Sequence, residues 1–270
     1  MTDIAIIAGS GSLPATLVSS MRARPYIAGF EGFEPAGLSP DIRFRVERLV
    51  PFLYHLLDQG ITKVCFAGAV HRPRLDPSLF DAQTAQIVPR LLAAMQAGDD
   101  ATLREVLAIF EDFGLTVVGV SDLAPDLLPG AGVLCGSTTP MDAKDATRAA
   151  QIVAALGAVD VGQGAVVQQG LCLASEALPG TDAMLRQVAQ IPTGMRPDPS
   201  RGRGLFYKAP KPGQDLRVDL PTIGPDTVAL AAAAGLGGIA WAAGGVIVLD
   251  RHATIAAAEA QGLFLWSRTP

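Results

Sequence analysis

The stretch that decides the fold is Ile4-Ala5-Ile6-Ile7-Ala8-Gly9-Ser10-Gly11-Ser12-Leu13-Pro14. Its first five residues are apolar with no polar alternation, which predicts a strand covered on both faces, as in a parallel sheet. Glycines directly after such a strand let a backbone approach a ligand. A helix starting near Pro14 would add unpaired N–H groups and a positive dipole end. A phosphate-containing guest fits that arrangement, and an ordinary strand–helix turn is the alternative. Pro14 stands where the dinucleotide fingerprint needs its third glycine, and no Lys-Ser/Thr follows, so neither G-x-G-x-x-G nor a Walker A loop is present. Glu31, shortly after a second apolar run, keeps a ribose-binding reading open.

Working outward, short apolar runs alternate with helical patterns through the first half, the signature of a parallel α/β unit. Ile61-Thr62-Lys63-Val64-Cys65-Phe66-Ala67 and Leu115-Thr116-Val117-Val118-Gly119-Val120 read as strands, with Tyr26-Ile27-Ala28 a weaker one. Leu49, Leu53, Leu56 and Leu57 form one helical face that stops at Gly60, with Pro51 either near its first turn or kinking it. Leu103, Val106, Leu107 and Phe110 form another, with Asp99 or Asp100 as its cap and Gly114 as its end. A Pro/Gly-rich connection at 124–132 divides the halves. Beyond it come an Ala-rich helix at 143–156, strands at 165–177, 205–208, 217–220, 238–241 and 246–249, and helices from Pro225 and at 253–261. The apolar run 228–248, broken by five glycines, reads as a short helix followed by a buried hairpin. The expected fold is therefore α/β. A Rossmann-like parallel-sheet domain occupies 1–130 and a mixed α+β domain occupies 131–270.

Composition bounds the function. In 270 residues, 49% are hydrophobic and 17% charged, and the mean hydropathy is +0.33, which suits buried cores and not a disordered chain. A net charge of −5 supplies no basic field for nucleic acid. No apolar run reaches the roughly 18 residues that span a bilayer, and the N-terminus lacks the basic region and cleavage site of a signal peptide. Three scattered cysteines, Cys65, Cys135 and Cys172, suggest reduced thiols. The expectation is a soluble cytoplasmic protein.

Where parallel strands end, ligands bind. That rule nominates Gly68-Ala69-Val70-His71-Arg72-Pro73, Ser121-Asp122 and, if it folds back to the same crevice, Cys135-Gly136-Ser137-Thr138. In the second half, polar residues bunch within otherwise apolar segments. Asp160-Val161-Gly162-Gln163-Gly164 leads to Gln168 and Gln169, then to Glu176 and the turn Pro179-Gly180-Thr181-Asp182. Lys208, Lys211, Asp215, Arg217, Asp219 and Asp226 follow within a short stretch. Lysines and arginine can neutralise phosphate oxygens, while carboxylates hold Mg²⁺ or orient a water. Singly, each has a structural explanation: Asp226 follows Gly224-Pro225 and would be stabilising in any first helical turn. Together they describe a phosphate-binding, acidic, metal-assisted centre. His55, His71 and His252 are isolated, and no Gly-x-Ser-x-Gly elbow is present.

Several motifs then carry a resemblance. They are Ala8-Gly9-Ser10-Gly11-Ser12-Leu13-Pro14, Gly68-Ala69-Val70-His71-Arg72-Pro73, Gly98-Asp99-Asp100, Asp160-Val161-Gly162-Gln163, Gly180-Thr181-Asp182-Ala183-Met184-Leu185, Lys211-Pro212-Gly213-Gln214-Asp215-Leu216-Arg217 and Asp219-Leu220-Pro221-Thr222-Ile223-Gly224-Pro225-Asp226-Thr227. Over nearly the whole chain, the sequence resembles the UDP-2,3-diacylglucosamine diphosphatases of lipid A biosynthesis, in the form unrelated to the calcineurin-like phosphoesterases. Leu178-Pro179 departs from the Ile-Glu expected before Gly-Thr-Asp and removes an acid there.

The resemblance implies Mg²⁺-dependent hydrolysis to UMP and 2,3-diacylglucosamine 1-phosphate (lipid X), a ligand held between two domains, and a homodimer. It implies Asp226 for catalysis, through metal or water. With the strand-end rule, it places Gly11, Ser12, Gly68, Ala69, Ser121 and Thr138 on the nucleotide side. Gln168, Thr181, Asp182, Met184 and Leu185 would line the diacyl sugar phosphate, with Lys208, Lys211 and Gln214 near the diphosphate. A lipid substrate further implies transient docking on the cytoplasmic face of the inner membrane through a local apolar or basic patch. The rival readings are a non-catalytic lipid or nucleotide carrier and an NAD-dependent oxidoreductase, which Pro14 argues against.

Overall fold

The computed structural model describes residues 2–71 and 73–269. The chain divides into two compact units, Met1–Pro125 and Asp126–Pro270. The first contains β1 (Ile4–Ala8), α1 (Leu13–Ser20), β2 (Tyr26–Phe30), β3 (Ile42–Phe44), α2 (Leu49–Asp58), β4 (Lys63–Ala67), α3 (Thr84–Ala97), α4 (Asp99–Asp112), β5 (Thr116–Val117) and α5 (Val120–Leu123). The second contains β6 (Gly132–Cys135), α6 (Pro140–Gly157), β7 (Gly164–Gln168), β8 (Leu171–Ser175), α7 (Gly180–Ala189), β9 (Leu205–Lys208) and β10 (Thr222–Ile223). It closes with α8 (Pro225–Ala233), β11 (Gly238–Ala242), β12 (Ile247–Val248), α9 (Arg251–Ala260) and β13 (Phe264–Arg268).

In the first unit the strands run β3-β2-β1-β4-β5, and every neighbouring pair is parallel. All five residues of β1 are buried, as its unbroken apolar run requires. The strand order reverses between β1 and its neighbours β2 and β4, which puts a topological switch at the end of β1. The third apolar run forms only the two residues of β5. The Asp122 carboxylate accepts the Gly119 N–H at 2.8 Å and turns Val120 into a helix start instead of a strand end. Asp99 and Asp100 occupy the first turn of α4, where the dipole favours them, while Gly98 is the N-cap.

The second unit is a six-stranded mixed sheet, β6-β13-β11-β9-β7-β8, with β9, β11 and β13 mutually parallel and the outer pairs antiparallel. Period-two alternation feeds two cores. Ala165, Val167, Leu205, Tyr207 and Ala240 pack on Ala146, Ala149 and Val153 of α6. Their strand neighbours Val166, Phe206, Ile239 and Trp241 pack on Met184, Leu185, Val188, Val228, Ala231 and Ala258 of α7, α8 and α9. The sheet is thus sandwiched between α6 and the other three helices.

Two local expectations fail here. The run after α8 is not a hairpin: β11 lies in the large sheet, whereas β12 pairs parallel with β10. The Ala243 N–H donates to the Arg268 carbonyl and the Gly244 N–H to that of Pro129, leading the chain away from β11. Residues 217–220 are not a strand: the chain turns at 216–218, because the Asp215 carboxylate accepts the Arg217 N–H at 3.0 Å and the Asp215 carbonyl accepts from Val218 and Asp219.

Candidate functional site

In the first unit, the loops leaving β1 and β4 are zipped together. Ser10 and Ala69 exchange backbone hydrogen bonds, each 2.9 Å, and the Gly9 N–H donates to the Ala67 carbonyl at 2.8 Å. The segment after β2 joins them through the Ala36 N–H and the Gly11 carbonyl. The glycines here serve close packing first. A Cβ on Gly68, whose φ is +97°, would sit 2.7 Å from the Ser10 carbonyl oxygen, and one on Gly9 would sit 2.6 Å from that of Ala69. Gly11 differs: its φ is +93°, but the space beside it is open. Gly11, Ser12, Ala69 and Ser121 are all exposed, and α5, which carries Ser121, packs on α1 and β4.

Five of the six nucleotide-side candidates therefore gather at the carboxyl edge of the parallel sheet. Glu31 is ion-paired to Arg45 at 3.2 Å, and His71 is exposed beside the Phe33 ring. Arg72 lies outside the described residues. Nearby, burial pushes the Cys65 thiol up to about 12, with Asp122 adding to the effect, so it is an inert apolar side chain and not a nucleophile.

In the second unit the cluster forms around Lys208, the last residue of β9. It is only 7% exposed. Its ammonium donates to the Thr181 Oγ1 at 2.7 Å and to the Thr222 carbonyl at 3.2 Å. The Thr181 hydroxyl in turn donates to Glu176 Oε2 at 2.7 Å. Burial lowers the Lys208 pKa, opposed by the charges of Glu176, Asp182 and Asp219. Gln214, also buried, ties down the neighbouring loop: its side-chain carbonyl accepts from the Lys211 N–H at 2.7 Å and from Gln163 at 3.1 Å, and its amide donates to the Asp219 carbonyl. The Lys211 ammonium pairs with Asp160.

Thr222 leads into α8, whose second residue is Asp226. That carboxylate is exposed, and no described residue hydrogen-bonds or ion-pairs with it. Thr181 and Asp182, read as a turn, form the first turn of α7, with Asp182 exposed and 3.4 Å from Arg186. Met184 and Leu185 lie on the inward face of the same helix, enclosed in the core. Their placement seats α7 and leaves Gly180, Thr181 and Asp182 of its first turn half-buried or exposed.

The strand directions separate two further candidates from this cluster. Gln168 ends β7, which runs antiparallel to β9, so it lies at the amino end of β9, about 10 Å from the Lys208 end for a four-residue strand. Its amide is fully engaged: it donates to the Pro197 and Gly202 carbonyls and accepts from Arg196. Thr138 follows β6, whose end lies against Phe264 at the start of β13, again the amino edge. A cleft of about 870 Å³ opens on that edge, lined by Ser137, Pro140, Lys144, Arg201 and Arg203 among others. The strand-end rule favours the opposite edge, where Lys208, Thr181, Lys211 and Gln214 meet. Sequence reasoning noticed Glu176 among the acids but did not place it in the site. Its partner is fixed by tertiary contacts through Gly164.

Among the described residues, no group of three or more His, Cys, Asp or Glu side chains converges as a metal cage, and no helix is long and apolar enough to cross a membrane.

Comparison with known proteins agrees over both units. Residues 3–127 match the family model for the LpxI N-terminal domain, and residues 130–266 match that for the LpxI C-terminal domain. The chain is also similar to the UDP-2,3-diacylglucosamine pyrophosphatase LpxI of Caulobacter vibrioides, at 40% identity over 276 residues, covering 100% of this chain and 99% of that protein.

Proposed function

The chain belongs to the LpxI family, and on that premise we propose that it hydrolyses the diphosphate of UDP-2,3-diacylglucosamine to UMP and 2,3-diacylglucosamine 1-phosphate. The observation that carries this reading is the buried Lys208 ammonium, tied to Thr181 and to the strand leading into Asp226. A desolvated cation stabilises charge on a phosphate oxygen far more than an exposed one does.

In the reaction a water oxygen bonds to a phosphorus, the bridging P–O bond breaks, and the departing phosphate carries away the electron pair. Lys208 and Lys211 neutralise oxygens of the diphosphate, and Gln214 holds the loop that carries Lys211. Asp226 orients the water or takes its proton, or contributes to holding a metal. Gly11, Ser12, Gly68, Ala69 and Ser121 serve the nucleotide, while Thr181 and Asp182 serve the sugar phosphate.

Mg²⁺ suits the residues present. It commonly binds through one or two carboxylates, substrate phosphates and waters instead of an all-protein cage. The exposed, unengaged Asp226 carboxylate meets that need. When bound, the ion would supply neutralisation of non-bridging oxygens.

Membrane docking on the cytoplasmic leaflet belongs to the same reading. Val159, Val161, Leu178 and Leu216 are exposed apolar residues, Leu178 at 97%. They lie on three loops tied together by Gln163–Gln214, by Asp160–Lys211 and by the close seat of Glu176 over Gly162. Apolar side chains on loops beside the cationic cluster suit insertion into a lipid surface. A homodimer is also part of the proposal. It is supported by the exposed Val133 and Leu171 on the edge strands β6 and β8, and sedimentation of the purified chain tests it.

The test of the reaction is UMP release from UDP-2,3-diacylglucosamine by the purified chain, with Mg²⁺ and with EDTA. Release that needs the cation is expected. No release from folded protein with any common divalent cation overturns the reading and favours a carrier.

A further inference from the structure

Glu176 occupies a seat that the fold builds for it. A Cβ on Gly162 would lie 2.1 Å from the Glu176 carbonyl oxygen, and one on Gly164 would lie 2.7 Å from its Oε2. The Glu176 N–H donates to the Gly164 carbonyl at 2.8 Å. Two missing side chains and a backbone hydrogen bond thus fix both ends of this residue. From that seat, its carboxylate accepts the Thr181 proton. A carboxylate can only accept, so the Thr181 oxygen turns its lone pairs toward Lys208, which can only donate. Two of the three ammonium N–H groups are then occupied, by Thr181 and by the Thr222 carbonyl, and the third has no acceptor among the described residues.

We infer that Glu176 is a positioning residue for the hydrolysis: acting through Thr181, it fixes the Lys208 ammonium so that its third N–H is presented to an anionic phosphate oxygen. The inference rests on the reading of Lys208 as a diphosphate contact. Three acids face this ammonium: Glu176 ahead of α7, Asp182 on α7 and Asp219 on the loop before β10. Asp182 is shared with Arg186, and only Glu176 reaches Lys208 through a hydroxyl relay. Glu176 therefore also does most to keep Lys208 protonated against its burial.

The chain has four lysines, Lys63, Lys144, Lys208 and Lys211, so lysine labelled at Cε and Nζ gives a spectrum that can be followed by pH titration. Lys208→Arg assigns the resonance. In Glu176→Gln, the Lys208 midpoint is expected to fall by on the order of one pH unit. The other three should hold, and the alkaline limb of kcat/KM for UMP release should move down with Lys208. Thr181→Val is expected to reproduce the shift and Thr181→Ser to restore the wild-type midpoint. A Lys208 resonance and alkaline limb both unmoved in folded Glu176→Gln and Thr181→Val would overturn the inference. A wild-type chain that releases no UMP, yet shows the Lys208 shift in the variants, would overturn the diphosphatase reading and support the positioning itself.

Discussion

The glycine loops of the first unit and the lysine cluster of the second both lie at carboxyl ends of parallel strands, but they are made differently. The first is backbone zipped to backbone: Ser10 to Ala69, Gly9 to Ala67, Ala36 to Gly11. The second is a chain of side chains, Lys208 to Thr181 to Glu176, drawn from a strand, a helix and a loop. A backbone site is rigid, uncharged and tolerant of what it holds, and suits a nucleotide. A buried ammonium with a fixed hydroxyl is specific in charge and direction, and suits the group that reacts. Changes in the first should therefore register as stability or substrate affinity, and changes in the second as turnover.

The largest effect is expected from Asp226→Ala. It should lower kcat for UMP release by on the order of 10³-fold, as loss of a general base or of metal-held charge does. Because the side chain is exposed, the circular dichroism spectrum should be unchanged. Next comes Lys208→Met, with kcat/KM lower by on the order of 10². Replacing a desolvated cation by an apolar side chain of similar length should leave Tm at neutral pH equal or higher. The pH dependence has a definite sign. The folded pKa of Lys208 lies below its unfolded value of about 10.4, so between the two the unfolded chain binds more protons. Wild-type stability gains a rising contribution with pH through that window while activity falls, and Lys208→Met should lack that contribution in urea titrations.

Gly68→Ala sharpens the contrast from the other side. A Cβ there meets the Ser10 and Gly9 carbonyls at a positive φ, so unfolding in urea should show a loss of about 1–3 kcal/mol. Gly11→Ala, at a similar φ but beside open space, should lose less and mainly raise KM. The smallest effect is expected at Leu178, where Leu178→Asp should leave stability within about 0.5 kcal/mol. In co-sedimentation with phosphatidylglycerol-containing vesicles, it should weaken binding several-fold.

The two regions were also unequally legible in the sequence. The run 4–8 and the glycines after it point directly to a buried parallel strand and a tight loop, because sterics act within a few residues there. What the glycines accommodate is less legible: Gly68 packs against the loop after β1, a contact nearly sixty positions away in sequence. In the second unit, Pro179-Gly180-Thr181-Asp182 has the composition of a turn, yet burial of Met184, Leu185 and Val188 against the sheet makes it a helix start. Helix α3 is not legible in the sequence, because Pro89 interrupts its pattern. Glu176 could be seen as an acid, but not as the partner of Thr181, since its seat depends on the absent side chains of Gly162 and Gly164. The family resemblance nominates Gln168, and the resemblance with the strand-end rule nominates Thr138, whereas strand direction puts both at the amino edge of β9 and β13.

The division of labour between the two units is tested by steady-state UMP release from UDP-2,3-diacylglucosamine by Asp226→Asn beside wild type, with UMP affinity measured on both by calorimetry. With the nucleotide held by the first unit and the chemistry done by the second, kcat should collapse while UMP binding stays within about two-fold. Wild-type turnover in folded Asp226→Asn, or loss of UMP binding together with turnover, would contradict that division.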